Sequence, residues 1–151
     1  MLKHPGSEVA EAAAKLTRQY FAKEKPCPEP DRYIFIARER SYHGATLGAL
    51  GSSGHAARRD VFEPILPKNT VFISPCNPYR DMADGQSIDE YVEDLADELD
   101  RTIHELGPHK VAGFWAEPVV GAVSCFSSLR AGVHVARMVV LFPDHESTTL
   151  N

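Results

Sequence analysis

Residues 87–118, SIDEYVEDLADELDRTIHELGPHKVAGFWAEP, decide the fold class. Ser87 and Glu90 stand three apart at the head of the stretch, the spacing of a capping box in which each side chain serves the other's backbone. Ile88, Tyr91, Val92, Leu95, Leu99, Ile103 and Leu106 then recur at three- and four-residue intervals, so one side of a long helix is apolar. Gly107 and Pro108 close it, since glycine accepts the turn conformation and proline cannot continue the ladder. KVAGFWAEP follows at once as a compact apolar run, a buried strand ending in the acid–proline pair Glu117–Pro118. A capped helix feeding directly into a buried strand is the repeating unit of an α/β protein with a parallel sheet.

The same alternation extends toward the N-terminus. TVFISP at 70–75 is a second short strand, stopped by the turn chemistry of PCNPYRD. RYIFIARE at 32–39 is a third apolar run rich in β-formers, followed by the glycine-rich SYHGATLGALGSSGH. Ahead of it, KEKPCPEP carries three prolines and must break any helix that enters it. That helix is predicted from about residue 7 to 21, with Val9, Ala12, Ala13, Leu16 and Tyr20 on its core-facing side. In parallel sheets ligands collect beyond the carboxyl ends of the strands, here SYHG, SPCNPYR and EPVVGA.

The chain has 151 residues, 43% hydrophobic and 25% charged, enough for one domain with a core. A net charge of −5 disfavours nucleic acid and anionic membrane as partners, because both select a basic face. No apolar run approaches the roughly 20 residues of a membrane span, and the start MLKHPGSE lacks a secretory apolar core. Cys27, Cys76 and Cys125 are odd in number and widely spaced. This suits reduced thiols in a cytoplasmic setting and gives no metal-ligand pattern.

Four places could carry chemistry. Gly6 and Ser7 open the first helix, where unpaired amides and the helix dipole can form a small phosphate cup; Ser7 could equally be an ordinary cap. Glu8 and Glu11 suit the first-turn dipole under either reading. Tyr42 and His43 leave the sheet after the first strand, where a tyrosine can stack on an aromatic cofactor or merely lie half buried against the sheet. Glu117 ends the strand that holds the single tryptophan, Trp115, and needs a positive or hydrogen-bonding partner. His55, Arg58 and Arg59 form either a local basic patch or a solvated loop.

Taken in order, GSEVAEAAAKLTRQYF, SYHGATLGALGSSGHAARR and VAGFWAEPVVGA resemble the class III aminotransferases, pyridoxal-phosphate enzymes of fold type I. The likeness runs from about residue 6 to 122, and the YHG and AEPVVG pieces are specific to that group. It implies that Gly6 and Ser7 receive the cofactor phosphate and that Tyr42 stacks on the pyridine ring with His43 adjoining. It also implies that Glu117 lies beside the active site. The fold implied is part of a three-layer α/β/α large domain with a mostly parallel sheet over residues 1–122. Residues 123–151 are then a divergent, poorly ordered segment.

The departures carry expectations too. Members of the family are longer and hold an aspartate against the pyridinium nitrogen and, later, a Schiff-base lysine. Asp144 in ARMVVLFPDHE imitates that aspartate, but Pro143 and His145 break the motif. Lys3, Lys15, Lys23, Lys25, Lys68 and Lys110 do not match the family lysine. The resemblance therefore implies a truncated chain that binds pyridoxal phosphate, with amines or amino acids and 2-oxo acids as the family's substrates, and that does not turn over alone. The alternatives are a non-catalytic phosphate- or cofactor-binding fragment, or a chain that pairs as a homodimer or with a full-length relative. Uncovered sheet edges would also make it poorly soluble by itself.

Overall fold

A computed structural model describes residues 6–117. In chain order these form helix α1 (Gly6–Gln19), strand β1 (Ile34–Arg38), two short helices α2 (Leu47–Gly51) and α3 (Ala56–Arg59), strand β2 (Thr70–Ile73), a single turn α4 (Pro78–Asp81), the long helix α5 (Ile88–Leu106) and strand β3 (Val111–Trp115). The three expected strands and the two expected helices are all present. The strands pair in the order β2-β1-β3, every pairing parallel, as the helix–strand alternation requires.

The capping box at the head of α5 forms as its spacing dictates. Ser87 Oγ accepts the Glu90 amide at 3.2 Å, and a Glu90 carboxylate oxygen accepts the Ser87 amide at 2.8 Å. The apolar stripe then lays Tyr91, Leu95 and Leu99 onto Ile36, Ile73 and Val111 of the sheet, with Val92, Ile103 and Leu106 packed around them. On the opposite face Phe21, Phe35 and Ala112 form a smaller core, joined by Ala14 and Trp115. The sheet is thus covered by α5 on one side and α1 on the other, a three-layer α/β/α arrangement.

An irregularity in β3 decides which face its aromatics meet. The β1–β3 register steps from Ile34↔Val111 to Phe35↔Gly113, passing over Ala112. Beyond the step Phe114 packs with the α5 core and Trp115 with the α1 core.

Two expectations change. α1 was expected to bury Val9, Leu16 and Tyr20, but all three are exposed. The side it turns inward carries Ser7, Ala10, Glu11, Ala14 and Arg18, and it continues through a π-helical turn (Tyr20–Glu24) to the buried Phe21. The reason is electrostatic. Glu11 accepts the Gly48 amide and Ser7 the Ala45 amide, and an alanine-rich helix offers no large apolar side to outweigh those bonds. The helix also runs past residue 21. Lys25, held extended by Pro26, ends it.

The glycine-rich stretch and the Ala56–Arg59 segment after it contain α2 and α3. Gly54 explains part of the stretch's composition. A Cβ there would collide with the Arg38 carbonyl oxygen, so only glycine lets the connection lie against the end of β1.

Burial separates two leucines that look alike in sequence. Leu99 is 1% exposed and Leu16 69%. Leu99→Ala is expected to cost about 2–5 kcal/mol and Leu16→Ala less than about 0.5 kcal/mol in chemical denaturation. Equal losses would restore the original orientation of α1.

Candidate functional site

The loop leaving β1 is pinned residue by residue to three different elements. Ser41 Oγ accepts the Gly54 amide at 3.1 Å. The Tyr42 amide donates to Glu117 Oε1 at 2.5 Å, which ties the end of β1 to the end of its neighbour β3. The His43 amide donates to Ser53 Oγ at 2.8 Å, and that hydroxyl donates in turn to the Ala49 carbonyl at the same distance. The Ala45 amide donates to Ser7 Oγ at 2.8 Å, which joins the loop to the head of α1.

Gly44 makes the last contact possible. It sits at φ +146°, and a Cβ at that position would lie 2.6 Å from Ser7 Oγ, 2.7 Å from Ala49 Cβ and 2.8 Å from Ser7 Cα. Gly6 is the opposite case, with nothing among the described residues within 4 Å of the place its Cβ would take.

Glu11 does not serve the dipole of its own helix. Its carboxylate caps α2, whose own N-cap Thr46 makes no side-chain cap. The Thr46 hydroxyl, followed by the Gly48 and Ala49 amides, holds the Glu11 carboxyl below its ordinary range against the opposing effect of burial. At the other end of α2, Arg59 Nη1 donates to the carbonyls of Leu50, Gly51 and Ser53 at 3.1, 2.9 and 2.7 Å. The guanidinium also lies 4.7 Å from the Phe72 ring centre. Arg59 is therefore neither a free basic patch nor a solvated loop residue. Its neighbour Arg58 stands 4.4 Å over the ring of Tyr42.

His43 turns its ring to the α1 side of the sheet, 5.7 Å from Trp115. Burial pushes its pKa down, with the nearby Glu117 pulling the other way. Its Nε2 and the indole Nε1 of Trp115 are both buried without a hydrogen-bond partner among the described residues. Both rings line a cavity of about 230 Å³ between α1, α2 and the sheet, which Glu11, Phe35, Ser52 and Asn69 also line. Gly6, Ser7, Tyr42 and Glu117 lie outside that lining, so the cavity borders His43 rather than the helix head.

Of the residues singled out in the sequence, Ser7, Tyr42, His43 and Glu117 converge on one loop, with Gly6 one residue from the contact. Ser53, Glu11 and Arg59 were missed as members of this network. Ser53 is fully buried between two glycine-rich segments, and no periodicity announces it. Asp144, Cys125 and the division at residue 122 lie outside the described residues. Among the described residues no helix is long and apolar enough to cross a membrane.

The depressed pKa of His43 has a definite sign. The unfolded chain takes up the proton more readily than the folded one, so the stability tied to neutral His43 is complete above about 6.5 and is lost as pH falls below it. Urea midpoints are expected to drop less between about pH 7 and pH 5 in His43→Gln than in the unaltered chain. Parallel profiles would show that His43 is not the titrating group.

Comparison with known proteins places this geometry. Residues 1–130 match the family described as aminotransferase class-III. An aminotransferase of Gibberella zeae is 52% identical over 118 residues, which cover 78% of this chain and 23% of that protein. A mitochondrial gamma-aminobutyrate transaminase 1 of Oryza sativa is 37% identical over 118 residues, covering 78% of this chain and 22% of its own length. A solved transaminase with L-ala superposes with a TM-score of 0.79 at 28% identity, over 90% of this chain and 31% of that one. The chain spans about a quarter of the length of the curated relatives it matches. With most of its length inside the family match, the chain belongs to the class III aminotransferases.

Proposed function

We propose that this chain supplies one wall of a pyridoxal-phosphate site used in amino-group transfer between an amine or amino acid and a 2-oxo acid. The contact between the head of α1 and the Tyr42–His43 loop, made through Gly44, is the observation that carries the reading. The amides of Gly6 and Ser7, with the serine hydroxyl, would receive the phosphate at the helix head. Tyr42 would offer a ring face to the pyridine, and His43 would bound it on the side of the sheet. Glu117 holds Tyr42 through its backbone and so fixes the height of that ring.

The residues suit the group in two further respects. Nothing among the described residues stands within 4 Å of where a Gly6 Cβ would lie, and the buried Nε2 of His43 is a polar atom without a hydrogen-bond partner among them. When bound, pyridoxal phosphate supplies a carbonyl that takes up an amino group and a ring that withdraws electrons from it. The residues named here bind and orient. None of them is assigned the covalent or proton-moving role of the family lysine, and we propose that the chain alone does not turn over.

Pyridoxamine 5′-phosphate is the suitable probe, because as an amine it cannot react with surface lysines. The chain has one tryptophan, Trp115, so quenching of its fluorescence reports binding beside His43. Ser7→Ala and Tyr42→Leu are each expected to weaken binding about tenfold, near 1.4 kcal/mol. Unchanged binding in both variants would remove the site from this place.

The second part is tested by mixing the chain with pyridoxal phosphate, an amino donor and a 2-oxo acid. No product beyond a single equivalent of chain is expected. Sustained turnover would contradict the assignment of a binding role only.

A second reading, that the chain pairs with another copy or with a full-length relative, is favoured by the exposed Val9, Leu16 and Tyr20 on α1. Co-elution with an intact homologue would support it.

A further inference from the structure

Arg58 and Arg59 are adjacent in sequence but do different work. Arg59 fixes α3 to the end of α2 through three carbonyl oxygens and lies over the Phe72 ring. The Arg58 amide donates to the His55 carbonyl at 3.0 Å, which closes the turn of α3 on itself. Arg58 is therefore presented from a backbone with little freedom, although its side chain is exposed.

That side chain lies with its guanidinium carbon 4.4 Å from the centre of the Tyr42 ring. A guanidinium at this distance is attracted by the negative face of a phenol ring and, being planar, can lie along it. The backbone of Tyr42 is already held on both sides, by Glu117 at its own amide and by Ser53 at the next. Only the two side-chain torsions of Tyr42 remain to be set. A cation covering one ring face restricts them, and an aromatic ligand stacking on the ring would then have to use the opposite face.

We infer that Arg58 is a positioning residue that acts through Tyr42, holding the phenol ring at a fixed tilt so that its uncovered face receives the cofactor ring. This rests on the reading above that Tyr42 stacks on pyridoxal phosphate. Arg58 does not touch the ligand. Its effect is on how sharply the ring is oriented.

The test uses the whole chain with pyridoxamine 5′-phosphate, comparing the unaltered protein with Arg58→Ala, Arg58→Lys, Tyr42→Leu and the Arg58→Ala/Tyr42→Leu double variant. Affinity is read from Trp115 quenching. Ring orientation is read from the circular dichroism induced in the ligand's absorption band, a signal that depends on a fixed asymmetric setting. Thermal melts run alongside.

Arg58→Ala is expected to weaken binding about threefold to fivefold and to reduce the induced band, with a melting temperature near that of the unaltered chain. Arg58→Lys keeps the charge and recovers part of both signals. In the Tyr42→Leu background the further loss of Arg58 changes neither. Arg58→Ala with unaltered affinity and an unaltered band overturns the inference while Tyr42→Leu still weakens binding, and the cofactor reading then stands. An Arg58→Ala effect of the same size in the Tyr42→Leu background overturns it as well, because Arg58 would then act independently of the ring. If Tyr42→Leu itself leaves binding unchanged, the cofactor reading fails and the inference falls with it.

Discussion

The arrangement of this chain turns on one close approach. Gly44 brings the backbone of the loop after β1 against Ser7 at the start of α1, with three atoms within 2.8 Å of where any side chain would begin. A single methyl group there would have to push the helix head away from the loop or force the loop off its backbone conformation. With glycine in place, the Ala45 amide reaches the Ser7 hydroxyl across 38 positions of sequence, and the loop that carries Tyr42 and His43 is tied to the head of α1. The rest of the site follows from that juxtaposition. Glu117 reaches the loop from β3, Ser53 from below α2, and Glu11 from α1 to the amides of α2.

α2 shows how much of this region is held from outside. It is five residues long and has no side-chain cap of its own. A helix that short is unstable in isolation, since nucleation costs more than its few bonds return. Glu11 satisfies its first amides and Arg59 its last carbonyls, so both ends are completed by residues from other elements. Helix caps usually come from the adjoining chain. Here they come from α1 and α3, and α2 is in effect a brace between the helix head and the loop it abuts.

This division explains what the sequence made legible. α5 and its cap could be read because every signal is local: Ser87, Glu90 and the apolar stripe fall within one helix. The strands were legible as apolar runs, and their parallel pairing followed from the alternation with helices. The inward side of α1 was not, because alanines surround the helix and its few large apolar residues mark a face without saying what meets it. The short helices α2 and α3 were hidden for the same reason that α2 needs outside caps. Their stabilising partners, Glu11 and Phe72, lie far off in the chain. Ser7, Tyr42, His43 and Glu117 could be picked out by type and order, but Ser53 could not. Its hydroxyl matters only because the fold buries it between His43 and Ala49.

The two ends of the sheet differ in a way that bears on where chemistry belongs. At the amino end Arg32 is 3% exposed, yet its guanidinium meets Glu29 and the carbonyls of Pro108 and Val111 and lies over Phe21. At the carboxyl end Arg38 is 4% exposed, packs over Phe114, and leaves both terminal nitrogens without a hydrogen-bond partner among the described residues. Burial lowers its pKa, with Cys76, Tyr91 and Glu117 close enough to oppose the shift. The other buried side-chain atoms without partners belong to His43, Asn77 and Trp115. All four residues sit at, or just beyond, the carboxyl ends of β1, β2 and β3. Each unsatisfied buried group costs on the order of 1–3 kcal/mol, so each calls for a partner. Among the described residues the unsatisfied buried side-chain groups gather at the carboxyl end of the sheet. Arg38 and Asn77 lie on the α5 side of that end, against Phe114 and Tyr91, and His43 and Trp115 on the α1 side, so the incomplete groups stand on both faces of the sheet there.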